Sequence, residues 1–314
     1  MPGRFISTHS MVLALPLHVD HLPERGAAVE AETAAARPGG GYVTLAAAAA
    51  QGVKASMASP LGTGPNSYTV RQHLEEANVE ILTTELVGDI GIAIQLVEAD
   101  GSTTSVVTAG VESEPSRAAL DRITLHDGDL VHISGVDLTN RIGAETLTGW
   151  GASLPENVTL VVSISPAVEE VPVSAWRRLL SRADVVTMNI REKAALDAIL
   201  TRAEPGLSIR HIMRPHAAVV RRLGVMGCEL QVNESAPRIH LPAFDAFTVD
   251  TSGVGDTHIA TMCASLLKGA SLEDACRAAN AAAAFTIAHE SALPVPTLAD
   301  IEQILEQGGL VYSS

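Results

Sequence analysis

The sequence predicts an α/β protein with a central, mostly parallel sheet, helices on both faces and a small second β-sheet. Three observations predict it. After Asp129, apolar strand-like runs alternate with helical ones, the pattern of a covered parallel sheet. Between Ile90 and Val111 a two-residue alternation takes over, the pattern of a hairpin. The chain has 314 residues, 46% of them hydrophobic, enough to bury one large core with an accessory piece.

The elements follow in order. Ser10–Leu17, rich in Val and Leu, reads as the first strand and runs into His18-Val19-Asp20. Pro38-Gly39-Gly40-Gly41 breaks the chain before the alanine run Ala46–Ala50, a helix closed by Gly52. Val53–Ala58 is a short strand and Tyr68–Ala77 a second helix. Ile92, Ile94 and Leu96, then Thr104, Val106 and Thr108, alternate around Ala99-Asp100-Gly101-Ser102, with Asp-Gly at the hairpin turn. There follow strand Leu130–Ser134, helix Arg141–Gly149, strand Val158–Ile164, helix Ser174–Ser181 and strand Val185–Met188. Val219–Arg222 is a further strand. Asp256–Lys268 and Leu272–His289 are the C-terminal helices. The hairpin stands outside the alternation, and the extended stretch Asp20–Ala36 is its expected partner. One domain spanning 1–314 is therefore expected, with a projecting lid built from residues 18–38 and 89–111.

The net charge of −15 argues against nucleic acid or an anionic membrane as a partner. Aromatic residues make up 3%, too few for base-stacking platforms. A local nest of amides can still bind a phosphate on an acidic protein. Cys228, Cys263 and Cys276 form no CxxC pattern and read as reduced thiols, the latter two buried in helices. There is no leader-like segment and no apolar run approaching ~18 residues, so a soluble, cytoplasmic protein is expected.

Four segments can carry chemistry. In Asp250-Thr251-Ser252-Gly253-Val254-Gly255-Asp256, two glycines flank one residue and a carboxylate sits where a helix starts. The N–H groups of this turn can converge on an anion, and Asp256 would face it. The same residues also suit an ordinary helix N-cap. Asn189-Ile190-Arg191-Glu192 follows a strand and opens a helix. Its amide and carboxylate share a face, which suits a hydrated Mg²⁺ and equally a plain helix start. Asp20, with His18 and His21, lies at a strand's carboxyl end, where α/β sheets bind ligands; a solvated loop is the other reading, and His18-x-x-His21 lacks the company of a metal site. Pro38–Gly41 lets backbone pass close to a small ligand. It is neither a Walker A loop nor a dinucleotide fingerprint.

Taken together and in this order, these pieces resemble the ribokinase-like (PfkB) family of carbohydrate kinases over nearly the whole chain. Asp250–Asp256 is similar to the family's Asp-Thr-x-Gly-Ala-Gly-Asp signature, with Val254 in the alanine place. Pro38–Gly41 is similar to its N-terminal paired glycines, and Asn189–Glu192 to its Asn-x-x-Glu motif. Ala279-Asn280 and Arg222-Leu223-Gly224 to Gly227 resemble its nucleotide segments. The resemblance implies a β lid over the substrate and transfer of the ATP γ-phosphoryl group to a hydroxymethyl group. It implies Asp256 as base, with Gly253, Val254 and Gly255 forming the anion hole. It places Asn189 and Glu192 on Mg²⁺, largely through water, and Asp250 on a monovalent cation such as K⁺. It places Asp20, His18, Gly40, Gly41 and Thr44 on the sugar. Asn189, Gly224, Gly227, Ser252, Gly253, Gly255 and Asn280 would lie along the nucleotide.

The departures fall mostly on the substrate side. Val43 or Thr44 stands where the family has a sugar-binding Asn. Gly62-Thr63-Gly64 lacks the usual Asp. Ser165-Pro166 replaces an Asp-Pro, and Thr257-His258 replaces a small residue followed by an aromatic. The leading expectation is an ATP- and Mg²⁺-dependent sugar kinase. A nucleoside kinase of the same fold and a catalytically silent sugar-binding relative are the rivals, and a nicotinamide oxidoreductase has no fingerprint here. The Ile92/Ile94/Leu96 face marks the lid as a surface for homodimerisation.

Overall fold

The computed structural model describes residues 3–32, 35–98 and 103–310. In chain order the strands are β1 (Phe5–Ser7), β2 (Met11–Val19), β3 (Arg37–Gly40), β4 (Ala55–Met57), β5 (Glu80–Ile81), β6 (Ile92–Glu98), β7 (Thr103–Val107), β8 (Leu130–Ser134), β9 (Thr159–Ser163), β10 (Val185–Asn189), β11 (Ala218–Arg222), β12 (Cys228–Gln231) and β13 (Ile239–Leu241). The helices are α1 (Tyr42–Ala50), α2 (Pro65–Glu76), α3 (Arg117–Leu120), α4 (Arg141–Ala152), α5 (Val173–Leu180), α6 (Ile190–Ala203), α7 (Ile209–Ile212), α8 (Val254–Leu267), α9 (Leu272–Ile287) and α10 (Leu298–Gln307).

Nine strands form one sheet in the order β13-β12-β11-β10-β9-β8-β1-β4-β5. It is parallel from β5 to β11, and β12 and β13 extend it antiparallel. β8 is buried at every residue, as expected of a parallel strand with both faces covered. The strand period sorts neighbours into two cores. Phe5 and its partner Leu130 join Leu45, Leu74, Ile259 and Met262 on the face carrying α1, α2, α8 and α9. Ile6 and its partner Val131 join Trp150, Trp176 and Leu196 on the face carrying α4 to α7.

The second sheet has the order β3-β2-β6-β7. Here the structure departs from the sequence pattern. Met11–Val19, read from the sequence as the first strand, lies inside this small sheet and not in the main one. The first strand of the main sheet is β1, between β8 and β4, whose three residues are too few to show a period. The hairpin arms pair with each other and with β2, which runs parallel to β6. The described residues of 20–36 contribute one bridge, from Glu32 to His18. Pro23, charged residues and Gly26 interrupt the largely apolar run that β2 sustains over nine residues. The Ala99-Asp100-Gly101-Ser102 turn lies outside the described residues. Ile94 and its cross-strand partner Val106 are exposed, as is Val107.

Two carboxylates, Glu112 buried and Asp89 half-buried, pin the roots of β6 and β7. Glu112 accepts from Gly91 N and Gly110 N, both at 2.9 Å. Asp89 accepts from Asn66 N at 2.9 Å, Ser67 N at 2.8 Å and Ser67 Oγ at 2.7 Å, capping α2 from outside the helix. Partial burial alone would raise the Asp89 carboxyl, but these bonds and one from Ile90 N hold it below its ordinary value. Gly64, at the N-cap position of α2, has no room for a Cβ beside Asp89. Among the described residues no helix is long and apolar enough to cross a membrane. Cys228, Cys263 and Cys276 are free and buried.

His132 lies at the centre of the main sheet. Its ring joins Ser7 Oγ of β1 at 3.0 Å and Ser163 Oγ of β9 at 2.9 Å. Complete burial, with His9 and Arg222 nearby, pushes its pKa down to about 3. The imidazole is therefore neutral in the fold, while the unfolded chain protonates it near pH ~6.5. Its contribution is fully present above that pH. It is lost on acidification toward pH 3, by up to ~1.4 kcal/mol per pH unit. Urea denaturation at pH 7 and pH 4.5 checks this. The wild type should lose more stability than His132→Gln over that interval, and parallel losses would exclude His132 as the titrating group.

Candidate active site

The glycine turn before α8 comes first. Gly253 is the N-cap of α8 at φ 67°, a left-handed conformation, and no side chain caps the helix. The N–H groups of Gly253, Val254, Gly255 and Asp256 have no partner among the described residues; the first helical bond comes from Thr257 N. They make an open set of donors at the positive end of the helix. A Cβ on Gly253 would lie 2.4 Å from Ala292 Cβ and 3.3 Å from Val43 Cγ1. Asp256 is half-buried in the first turn and accepts from Thr44 Oγ1 at 3.3 Å. Thr44 is fully buried in the first turn of α1. Gln51 Nε2 donates to Thr261 Oγ1 at 2.8 Å, and Lys268 Nζ reaches Gln51 O, so α1 and α8 are tied along their length. Alanines of both helices, among them Ala47 and Ala260, are buried between them. Val43 and Thr44, which stand where the resemblance expects an Asn, thus meet the glycine turn and the carboxylate respectively.

Asn189 and Glu192 form a reciprocal capping box. Asn189 Oδ1 accepts from Glu192 N at 2.9 Å, and Glu192 Oε2 accepts from Asn189 N at 2.7 Å. Arg222 is paired with Asn189 across β10 and β11 and its Nη2 donates to the same Oε2 at 3.1 Å. Glu192 Oε1 takes no protein partner among the described residues. Burial raises the Glu192 carboxyl, and the Asp256 charge adds to this, against the pull of Arg222 and Asn189. The guanidinium lies over the glycine turn, its Nη1 2.4 Å from where a Gly255 Cβ would be. Arg222 Nε is buried without a partner. Asp256, Glu192 and Arg222 therefore form one electrostatic group. Among the described residues no cluster of three His, Cys, Asp or Glu could hold a metal by itself. One carboxylate with one amide is the donor set of a cation that keeps most of its water.

A cleft of about 620 Å³ opens beside this group, lined by Asn189, Arg222, Gly224, Gly227, Val254, Gly255 and Asn280 among others. Gly224 (φ 62°) and Gly227 (φ 86°) shape the loop after β11. Asn280 Nδ2 donates to Leu241 O at 3.1 Å and Pro242 O at 3.0 Å, so this amide holds the backbone beyond β13 that walls the cleft. His258 also lines the cleft, with both ring nitrogens buried and unpartnered. Ser252 is exposed beside the cleft, and its N–H goes to Asp250 Oδ1 at 2.8 Å. Arg37 lies within electrostatic reach of Asp250, so a monovalent cation there would share the carboxylate with a guanidinium.

A second cavity, of about 350 Å³, lies at the carboxyl ends of β1, β4 and β8, under the small sheet. Asp137 is 8% exposed in its wall. Its Oδ1 accepts from Ser10 Oγ at 2.6 Å and Ser10 N at 3.2 Å, and its Oδ2 is buried without a partner. Burial pushes this carboxyl upward, and His9 and the Ser10 bonds oppose the shift. Gly40 and Gly41 back onto this wall. A Cβ on either would strike Ser10 O or His9 O, and Gly41 N donates to Ser10 O at 2.9 Å. Their glycine requirement thus arises from backbone packing within the protein. Asp20 and His21 are exposed at the tip of β2. His18 Nε2 lies 3.6 Å from Glu290 Oε1. Neither Asp20 nor His18 lines this cavity.

Sequence reasoning missed Arg222 and Asp137. Both sit at carboxyl ends of strands that the pattern marks, and the rule applied to Asp20 applies to them too.

A family model for pfkB family carbohydrate kinases matches residues 10–298. An uncharacterized sugar kinase, YegV, of Escherichia coli strain K12 is 30% identical over 279 residues, covering 88% of this chain and 86% of that one. The ribokinase of Thermotoga maritima superposes with a TM-score of 0.79 at 19% identity, covering 98% of this chain and all of that one. An Arabidopsis thaliana ribokinase solved with ribose and ATP superposes at 0.75 and 18% identity, covering 98% and 99%. The chain belongs to the pfkB family of carbohydrate kinases and has the ribokinase-like fold.

The glycine turn makes a prediction. Gly253→Ala meets both a left-handed φ and the Ala292 methyl, whereas Gly224→Ala meets only the former. The strain alone costs about 1–2 kcal/mol. Thermal unfolding should therefore show a larger loss for Gly253→Ala; equal losses would mean that the Ala292 contact relaxes freely.

Proposed function

We propose that this protein transfers the γ-phosphoryl group of ATP to a hydroxymethyl group of a sugar or sugar-like alcohol. One observation carries the reading: the uncapped N–H donors of Gly253 to Asp256 open beside a carboxylate, at the end of a cleft that also presents Arg222. The ATP bound by the Arabidopsis relative supports assigning the large cleft to a nucleotide, along Gly224, Gly227, Asn280 and the glycine turn, with Ser252 at its edge.

Asp256 accepts the proton of the attacking hydroxyl, held in orientation by Thr44. The amides of Gly253, Val254 and Gly255 receive charge that develops on the phosphoryl oxygens; they are fixed beforehand, so little reorganisation is needed. Arg222 adds a resident cation at that end. Asn189 and Glu192 fit a Mg²⁺ held largely through water, with Glu192 Oε1 available. When bound, that ion would neutralise phosphate charge. Asp250 is the residue we assign to a K⁺-ordered loop. The smaller cavity takes the acceptor, with Gly40 and Gly41 behind its wall, Thr44 on Asp256, His18 on the overlying sheet and Asp20 just beyond β2. Among the described residues no aromatic side chain lines that cavity, which favours a sugar over a nucleoside. A cytoplasmic location and a homodimer through exposed Ile94 and Val106 belong to the same reading.

Asp256→Asn is expected to lower kcat by about 10²-fold or more with the fold retained. Steady-state assays with circular dichroism check it, and activity within a few-fold of wild type would remove Asp256 as base. Arg222→Ala should raise the KM for ATP by about tenfold or more, as loss of a charge-assisted contact does. An unchanged nucleotide KM would reduce Arg222 to a partner of Glu192.

A further inference from the structure

We propose that the acceptor is an uncharged polyol or sugar, anchored through a hydroxyl on Asp137, and that sugar acids and sugar phosphates are rejected by charge. This rests on the kinase reading above and narrows it to a substrate class.

The lining of the smaller cavity carries the inference. Its charged residues are Asp137 and Glu112, and no Lys, Arg or His lines it among the described residues. The residues outside the described set contain none of these types either. His9 lies within electrostatic reach of Asp137 but does not line the cavity. An anionic acceptor would lose its water beside two acidic groups with no cation to pair it, the costly case for burying charge.

The two acidic groups differ in what they have left to offer. Both oxygens of Glu112 are taken by backbone N–H groups of Gly91 and Gly110. Asp137, a residue of the cavity wall, spends one oxygen on Ser10 and keeps Oδ2 buried and unpartnered. A buried polar atom left without a partner is unfavourable unless a ligand satisfies it. A hydroxyl can satisfy it in either protonation state, because it donates and accepts. A ligand carboxylate or phosphate dianion can only accept, and so cannot serve an ionised Asp137. Thr8, Ser59, Thr139 and Asn140 add neutral groups to the wall, while Val12 and Val107 face the cavity from the small sheet. One polar wall and one apolar wall suit a polyhydroxylated carbon chain or ring.

The experiment uses matched acceptor sets on one carbon skeleton: D-glucose, sorbitol, D-gluconate and D-glucose 6-phosphate, and D-ribose, ribitol, D-ribonate and D-ribose 5-phosphate. ADP release is followed with the wild-type chain, ATP and Mg²⁺. The neutral members should exceed their acidic and phosphorylated counterparts in kcat/KM by about tenfold or more. An acid or phosphate as the best member of its set would overturn the inference while leaving the kinase reading intact. Asp137→Asn, folded by thermal unfolding, should raise the acceptor KM about tenfold with the ATP KM unchanged, and should narrow the gap between neutral and anionic members. An unchanged acceptor KM would remove Asp137 as anchor. Should no member release ADP and Asp256→Asn behave as wild type, the kinase reading fails. The charge inference is then decided by ligand-induced thermal shift: neutral members alone shifting the protein supports it, and anionic members shifting it, or no member doing so, overturns it.

Discussion

The candidate active site depends on Gly253 holding a left-handed backbone in a space with no room for a Cβ. Ala292 closes that space on one side and Val43 on the other. Turning there, the chain starts α8 with its donors bare and sets Asp256 against Thr44. The contact works because α1 and α8 lie close, with small buried residues such as Ala47 and Ala260 between them. Gln51 and Lys268 fix the far end of the same pair. An abrupt backbone turn, a small-residue helix interface and two buried polar ties therefore cooperate to place a single carboxylate.

Charge balance is the second constraint. Two carboxylates share this region on a chain of net charge −15. Glu192 is already pushed toward its neutral form by burial and by Asp256. Arg222 offsets this from the adjacent strand, and the helix amides add fixed partial charge without the desolvation cost of another ion. A strongly acidic protein can thus keep a small region favourable to phosphate. Among the described residues the smaller cavity has no such offset, so the two cavities differ in electrostatic character within one fold.

The sequence made the parallel core legible because β8, β9 and β10 are mostly apolar and the helices between them keep their period. Asp250–Asp256 and Asn189–Glu192 were legible as pairs of residues at fixed spacing, although spacing alone leaves helix capping and ligand binding open. β1 was hidden by its length. The partner of the β6–β7 hairpin was misplaced because β2, apolar and regular, looked like a strand of the main sheet. Asp137 and Arg222 were visible as residues but not as site members. What distinguishes them is an unpartnered oxygen in a cavity wall and a register that sets Arg222 beside Asn189, and both are products of tertiary packing. The missing Asp near Thr63 has a similar lesson. The helix that begins at Pro65 is capped by Asp89, a carboxylate 24 residues further along than Pro65, which no local motif could reveal.

The capping box of α6 has a wider consequence. The two side chains of Asn189 and Glu192 that would serve a cation also close the first turn of a core helix. A descendant that abandoned phosphoryl transfer would still need them to start α6 against the sheet. Selection for folding alone can therefore preserve Asn-x-x-Glu long after the chemistry is gone. In chains of this fold, the persistence of that motif is evidence of ancestry before it is evidence of chemistry.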